Sequence, residues 1–279
     1  MAVTEEQLKT LKDRARRMRI DILKTLHGCG SGHTGGSLSA TDMVAALYFY
    51  KMKYDPKNPK WAGRDNFILS KGHAAPLLYT ALAHAGFFPE AELCTLRKLG
   101  SRLQGHPDSK SLPGVEISTG SLGQGLSVAC GLALAHKLDK GANRVYAVLG
   151  DGELQEGQIW EAAMTAAHYK LDNLCAMIDN NGLQIDGPVA KVMGVEPITD
   201  KWRAFGWDVL DIDGHDMAQI VAALDKAETV KGKPTAIVCR TVKGKGSKVF
   251  EGKVEFHGTT PSREELDIAL KELDEAVCK

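Results

Sequence analysis

Apolar residues recur every three or four positions over the first part of the chain, at Leu8, Leu11, Ala15, Met18, Ile22 and Leu26. This spacing puts them on one face of a helix. Thr4 and Gln7 precede the run in the arrangement of a capping box, in which each side chain bonds the other residue's backbone N–H. The pattern predicts a helix that begins after Thr4 and ends at the glycine-rich segment 28–37.

The remainder of the N-terminal half contains short apolar runs and one long segment without periodicity. That segment, residues 100–125, is predicted to be a loop, and a loop of this length inside a compact domain suggests a function. The other predicted elements are a helix from a Ser39 cap to Tyr50, a strand at 66–69, a helix from residue 74 to about Gly86, a short helix from Pro89 and a helix at 126–138.

The second half is regular, because apolar runs of strand length alternate with helical patterns. Strands are predicted at 144–149, 173–178, 207–212 and 234–239, and helices at 155–168, 197–205, 217–230 and 264–277. Strands that alternate with helices indicate βαβ units and a parallel sheet. We therefore predict an α/β fold, with a doubly wound, mainly parallel sheet flanked by helices. No repeat or linker divides the chain, so residues 1–279 are expected to form one domain.

Composition and charge restrict the class of partner. The chain has 279 residues, 35 basic and 35 acidic, and therefore no net charge to attract nucleic acid or an anionic membrane. The six cysteines are far apart, which is typical of a reducing cytoplasm, and the N-terminus lacks the features of a targeting segment. We expect a cytoplasmic protein with a small-molecule substrate, without nucleic-acid or membrane partners.

Two predicted strands end in residues that suit a metal and a phosphate. Asp151 stands between Gly150 and Gly152, and Asn181 follows the next strand, one αβ unit further along the chain. Ligands of doubly wound sheets bind at the carboxyl ends of the strands. A carboxylate, an amide oxygen and a backbone carbonyl would leave room on Mg²⁺ or Ca²⁺ for a diphosphate. The alternative is that both motifs only make turns, but their spacing favours a site.

The nine histidines divide into three sets. Four lie on predicted helices, where surface or core roles are expected, and His215 is expected in a turn or cap. The remaining four lie in or beside loops at spacings that do not match a zinc motif, and they are His33, His73, His106 and His257. Neutral, tunable donors of this kind suit general acid and base work on hydroxyl and carbonyl groups.

The motifs GSGHTGGSLSA, LSKGHAAP, LQGHP, STGSLGQGLS, GDGELQEGQIWEAA, DNNGLQIDG and FHG occur in that order. They resemble the N-terminal half of transketolase over about residues 10–260. The GDG motif with a later Asn is general for thiamine-diphosphate enzymes, whereas the histidines with STGSLGQG are similar to transketolase and its close relatives in particular.

The resemblance implies thiamine diphosphate and Mg²⁺, with Ca²⁺ or Mn²⁺ as substitutes. It implies a role for each matching residue: Asp151, Asn181 and the Leu183 carbonyl as metal ligands; Gly152, Glu153 and Asn181 beside the diphosphate; His73 beside the diphosphate and thiazolium; Gly120, Ser121 and Leu122 against the aminopyrimidine; and His33, His106 and His257 as catalytic residues around the reacting carbon. Glu156 is similar to an interface glutamate, or simply begins a helix. Lys243, Lys245 and Lys248 could attract a sugar phosphate, but we expect a solvated loop.

The family's second domain carries the glutamate that activates the cofactor, and we expect this chain to lack that domain because the resemblance is to the N-terminal half alone. The resemblance therefore implies a split enzyme, in which two such chains and two C-terminal partner subunits form a heterotetramer. The implied reaction transfers a two-carbon ketol unit from a ketose phosphate to an aldose phosphate. Alternatives are a dihydroxyacetone-synthase-like subunit, another thiamine-diphosphate enzyme subunit, or a non-catalytic binding protein. A dinucleotide enzyme is disfavoured because no strand is followed by GxGxxG.

Overall fold

A computed structural model describes residues 3–275. Helix α1 spans Glu5–Cys29, and the predicted capping box is present. The Gln7 N–H donates to Oγ1 of Thr4 at 3.2 Å, and the Thr4 N–H donates to Oε1 of Gln7 at 2.9 Å. The helix ends at Gly30, whose φ of 68° lets its N–H close on the Leu26 carbonyl at 2.9 Å.

The second helical segment begins earlier than predicted. Helices α2 (Thr34–Ser39) and α3 (Thr41–Ala46) are followed by a π-helical turn at Leu47–Lys51, so the predicted Ser39 cap is wrong. The glycines within α2 serve close packing instead of ending a helix. A Cβ at Gly35 would lie 2.9 Å from Cγ of Lys243, and one at Gly36 would lie 3.3 Å from Nε2 of His73.

Strand β1 (Asn66–Leu69) leads through a 3₁₀ turn at Gly72–Ala74 into α4 (Ala75–His84), and a second 3₁₀ turn covers Glu90–Thr95. Residues 96–123 contain no helix or strand, as the lack of periodicity predicted. Helix α5 (Gln124–Leu138) follows this loop.

The second half alternates as predicted. Its elements are β2 (Val145–Gly150), α6 (Gly157–His168), β3 (Leu174–Asn180), the short pair β4 (Leu183–Gln184) and β5 (Gly187–Pro188), α7 (Val189–Val192), α8 (Ile198–Ala204), β6 (Asp208–Asp213), α9 (Met217–Thr229), β7 (Thr235–Arg240) and α10 (Arg263–Glu275). The predicted last two residues of the final helix lie outside the described residues. The β4–β5 hairpin was not predicted, since two-residue strands carry no periodic signal.

The main sheet is parallel throughout, in the order β1-β2-β3-β7-β6. Alternate strand residues face opposite layers, so that Tyr146 and Val148 pack with α1, α3, α4 and α9, whereas Ala147 and Leu149 pack with α5, α6 and α8. Helices therefore cover both faces, and the predicted doubly wound α/β fold is confirmed. None of the described helices is long and apolar enough to cross a membrane.

Candidate functional site

A cleft of about 240 Å³ opens at the carboxyl ends of β1, β2 and β3. Ten of the residues singled out from the sequence line it: His73, Leu122, Asp151, Gly152, Glu153, Glu156, Asn181, Leu183, Lys243 and His257. His33, His106 and Gly120 lie beside the cleft, since the His33 ring is 5.2 Å from the His73 ring and a Cβ at Gly120 would touch the His106 ring at 2.9 Å. Ser121 adjoins Gly120 and is exposed.

The residues expected to bind metal, Asp151, Asn181 and Leu183, line the cleft where β2 and β3 end. The Asp151 carboxylate is buried and accepts the N–H groups of Gly152 at 2.8 Å and Gly182 at 2.5 Å. The Asn181 amide oxygen accepts the Leu183 N–H at 3.1 Å. Burial and the nearby Asp179 charge raise the pKa of Asp151 to about 6. This oxygen-only set, with a buried carboxylate in need of positive charge, could hold a hard divalent cation.

Glu153 has a structural task in the same cleft. Its carboxylate is buried and accepts the backbone N–H groups of Gly123 and Gly150, both at 3.0 Å, together with the Ser70 hydroxyl. Burial raises its pKa, although these three donors oppose the shift. The side chain thus ties the end of β1, the end of β2 and the start of α5 together around the cleft.

A buried ion pair beneath the cleft was missed from the sequence. Lys71 Nζ donates to the Asp179 carboxylate at 2.5 Å and to the Gly36 carbonyl at 2.7 Å, and both charged side chains are buried. The hydroxyls of Ser39 and Thr241 also donate to Asp179. Burial alone would raise the pKa of Asp179, but the Lys71 ammonium and these hydroxyls lower it. A charge directly after an apolar strand was the available signal.

The structure contradicts the expectation that Lys243 is solvated. It was expected in a solvated loop, but only 2% of it is exposed, and burial lowers its pKa to about 8. Its Nζ donates to the Leu183 carbonyl at 3.1 Å and to Nδ1 of His257 at 2.7 Å. Within residues 3–275 no carboxylate pairs with it. A buried cation without an acidic partner suits an anionic ligand. Lys245 pairs with Glu251 at 3.3 Å.

The four loop histidines form one cluster. The His73 and His257 rings are 5.1 Å apart, and the His33 ring is 5.6 Å from His257 and 6.2 Å from His106. Burial is the main reason that the pKa falls to about 4 for His33 and to about 3 for His257, and it lowers the pKa of His73 and His106 as well. The cluster is therefore neutral at pH 7. His33 Nδ1 is buried without a hydrogen-bond partner in the described chain.

The helical histidines lie outside the cleft, as expected. His136 Nε2 bonds Oδ1 of Asn66 at 2.6 Å, and His84 Nε2 bonds Asp21 at 2.8 Å. His84, Asp21 and Glu90 offer ligand atoms within 4.8 Å of one another. However, Nδ1 of His84 is buried without an acceptor in the described chain, so a metal on Nε2 would leave a buried, unpaired N–H. His215 is more than a turn residue, because it bonds Asp42 at 2.8 Å.

Lowering the pH from 8 to 5 is expected to leave the rings of His33 and His257 neutral, because their pKa values are about 4 and about 3. Histidines of the unfolded chain take up protons near pH 6.5. Below about pH 6.5 the folded state therefore binds fewer protons than the unfolded state, so the free energy of unfolding is expected to fall as the pH is lowered through that window. NMR titration of the histidine rings measures the pKa values in the folded chain, with signals assigned from His33→Gln and His257→Gln. The same titration in urea measures the pKa values in the unfolded chain. Ring protonation above pH 6 in the folded chain would contradict this.

Comparison with known proteins identifies the family. The family profile described as "Transketolase, thiamine diphosphate binding domain" matches residues 9–274. The chain therefore belongs to the transketolase family and contains its thiamine-diphosphate-binding domain.

Relatives of the same length are named as subunits. The chain is 47% identical to 6-deoxy-6-sulfo-D-fructose transketolase subunit SqwG of Clostridium sp. (strain MSTE9), over 96% of this chain and 98% of the relative. It is 41% identical to one of the subunits of the apulose-4-phosphate transketolase from Phocaeicola vulgatus, over 98% and 97% of the two chains. These relatives confirm the sequence-based prediction that the chain is the N-terminal subunit of a transketolase, which is a transferase.

A solved structure gives the same fold in a longer chain. The transketolase of Campylobacter jejuni superimposes with a TM-score of 0.88 at 34% identity. The match covers 98% of this chain but only 43% of the Campylobacter chain. The present chain thus corresponds to less than half of that transketolase.

Proposed function

We propose that this chain binds thiamine diphosphate and a divalent metal in the cleft, and that it supplies the cofactor half of a split transketolase. The assembled enzyme transfers a two-carbon ketol unit from a ketose phosphate to an aldose phosphate. One observation carries the proposal: Asp151 and Asn181 line one cleft together with His73, His257 and the buried Lys243, with which no carboxylate of residues 3–275 forms an ion pair. The rings of His33 and His106 adjoin this cleft. Such a cleft suits a metal diphosphate next to a reacting carbonyl group.

In the proposed metal site, the Asp151 carboxylate, the Asn181 amide oxygen and the Leu183 carbonyl hold Mg²⁺, with Ca²⁺ or Mn²⁺ as substitutes. All three are oxygen ligands, which these cations prefer. The Leu183 carbonyl bonds the Lys243 ammonium at 3.1 Å, which supports a preference for positive charge at that oxygen. The Lys243 ammonium would then be free to turn toward the diphosphate.

The cofactor's diphosphate is proposed to lie against Gly152, Glu153, Asn181 and His73, and its aminopyrimidine against Gly120, Ser121 and Leu122. Gly152 and Asn181 lie where β2 and β3 end, so backbone N–H groups can approach an anion there. Bound thiamine diphosphate would supply the electron sink for breaking and forming the carbon–carbon bond. The chain's own residues orient the reactants and exclude water.

His33, His106 and His257 are the proposed catalytic residues. Because the cluster is neutral at pH 7, each ring can donate one hydrogen bond and accept another. Imidazoles can therefore hold substrate hydroxyls and move protons at the reacting carbon without placing a further positive charge in the cleft.

A separate C-terminal subunit is proposed to supply the activating glutamate, in an assembly of two chains of each kind acting in the cytoplasm. The subunit names of the equally long relatives support a partner. Both names also describe anionic sugars, one a sulfonate and one a phosphate. A ketose phosphate is the donor class that we propose, and a sulfonated ketose is the second donor to be assayed.

The test is to purify the tagged chain from its native cell with whatever binds it, and to assay ketol transfer before and after separating the components. We expect no turnover by the chain alone and turnover by the recombined assembly. In that assembly, His33→Gln or His257→Gln should lower kcat by roughly 10²–10⁴-fold, whereas exposed His168→Gln outside the cleft should have no effect. Turnover by the pure chain would disprove the need for a partner, and full activity of both cleft variants would disprove the site.

A further inference from the structure

Arg97 has an unusual backbone beside the histidine cluster. Its φ of 58° is left-handed, a conformation that non-glycine residues rarely adopt. The Arg97 N–H donates to the Leu103 carbonyl at 2.9 Å, which closes a tight loop. Among residues 3–275, the other left-handed non-glycine residues are Lys140 and Lys170, which follow the ends of α5 and α6. Such strain concentrates at functional sites.

The Arg97 side chain joins two segments that are distant in sequence. Nη1 donates to the Ser31 hydroxyl at 2.8 Å, and Nη2 donates to the Gly105 carbonyl at 3.3 Å. Ser31 lies two residues before His33, and Gly105 directly precedes His106. In the described part of the chain, no other hydrogen bond links these two segments, and no acidic side chain forms an ion pair with Arg97.

We propose that Arg97 is a positioning residue, which ties the segment of His33 to the segment of His106 and so fixes the two imidazoles relative to each other. The inference rests on the proposed function, in which His33 and His106 are both catalytic residues. The His106 segment is also held by Tyr79, whose hydroxyl lies within hydrogen-bond distance of the carbonyls of Gln104 at 2.8 Å and His106 at 3.1 Å. Arg97 completes this support on the side of Ser31.

The charge of Arg97 acts on the same two rings. Burial is the largest cause that lowers the pKa of His33 and of His106, and Arg97 is the next cause for both. His33 also faces His106 and Lys243, and the rings of His73 and His257 lie within 5.6 Å of it. Arg97 therefore fixes the geometry of both imidazoles and helps to keep them neutral.

Three variants separate charge from geometry. Arg97→Met removes both, Arg97→Lys keeps the charge without the two-sided bridge, and Ser31→Ala removes one side of the bridge. Lys98→Met, an exposed neighbour, is the matched control. Histidine NMR titration of the full chain is the first readout. We expect Arg97→Met to raise the pKa of His33 and His106 and to leave His257 unchanged, and Arg97→Lys to restore the low values.

Ketol transfer by the assembled enzyme is the second readout. A displaced catalytic group can cost on the order of 10²-fold, so Arg97→Met should lower kcat/KM by roughly 10- to 100-fold. Arg97→Lys and Ser31→Ala should cause smaller losses, and thiamine-diphosphate affinity should not change. Unchanged histidine titrations together with unchanged kcat/KM in Arg97→Met would overturn the proposal. If Arg97→Met does not fold, unchanged kcat/KM in both Arg97→Lys and Ser31→Ala would overturn it instead. If the wild-type assembly has no activity, the proposed function fails while the titration still tests Arg97.

Discussion

Replacing Asp179 with alanine is expected to lower the free energy of unfolding by about 3–5 kcal/mol. The side chain is fully buried, and its carboxylate accepts hydrogen bonds from Lys71, Ser39 and Thr241. Without it, the ammonium of Lys71, a residue that is only 1% exposed, would lose its ion-pair partner and remain buried. Urea denaturation of the variant and the wild-type chain, followed by circular dichroism, measures the difference.

Two controls separate this cause from a general effect of alanine. Asp267→Ala removes an exposed partner of Arg263, 2.9 Å away on α10, and should cost less than about 1 kcal/mol. The double variant Lys71→Met, Asp179→Ala removes both buried charges and should be more stable than Asp179→Ala alone. A single variant as stable as the wild type would show that the buried pair does not stabilise this edge of the sheet.

Replacing Asp151 with alanine is expected to weaken metal-dependent binding of thiamine diphosphate by roughly 100-fold or more, because loss of a direct ligand should exceed the 10–100-fold effect of losing an outer partner. Asp151 is the buried carboxylate among the three proposed ligands, and it also accepts the Gly182 N–H that joins the ends of β2 and β3. Calorimetric titration with thiamine diphosphate, in Mg²⁺ and again after chelation, measures the effect.

The matched control is Asp186→Ala, since Asp186 is exposed in the β4–β5 hairpin near the same cleft and should not affect binding. Removal of Mg²⁺ should reproduce the loss seen in Asp151→Ala. If the wild-type chain alone binds no cofactor, the titration is repeated with the assembled enzyme. Equal affinity of Asp151→Ala and the wild type would reject the proposed metal site.

Local signals in the sequence determined most of the fold. The Thr4–Gln7 capping box and the apolar stripe after it predict α1 because both depend on neighbours within one or two turns. The alternation of strands and helices predicts a parallel sheet because parallel strands require a crossover. Asp151 and Asn181 could be placed together for the same reason, since the carboxyl ends of parallel strands share one edge.

Positions that depend on distant partners could not be assigned in this way. The start of α2 was misplaced because Gly35 and Gly36 are typical of loops, and only the approach of Lys243 and His73 explains glycine there. Likewise, the sequence placed four histidines in or beside loops, but only the tertiary fold brings their rings together, since His33 and His257 are more than two hundred residues apart in the sequence. Periodicity contains no information about such contacts.

The sequence by itself thus determined the helices, the parallel sheet and the edge at which a ligand would bind, because these follow from spacing along the chain. Only the tertiary structure decided the electrostatics of the site. Lys243 looks like a solvated lysine in the sequence, but the fold buries its side chain against Gly35 and the Leu183 carbonyl. Lys71 and Asp179 become a buried pair only when β1 and β3 lie in one sheet. Burial and charge pairing are properties of three-dimensional neighbours, so no local pattern specifies them.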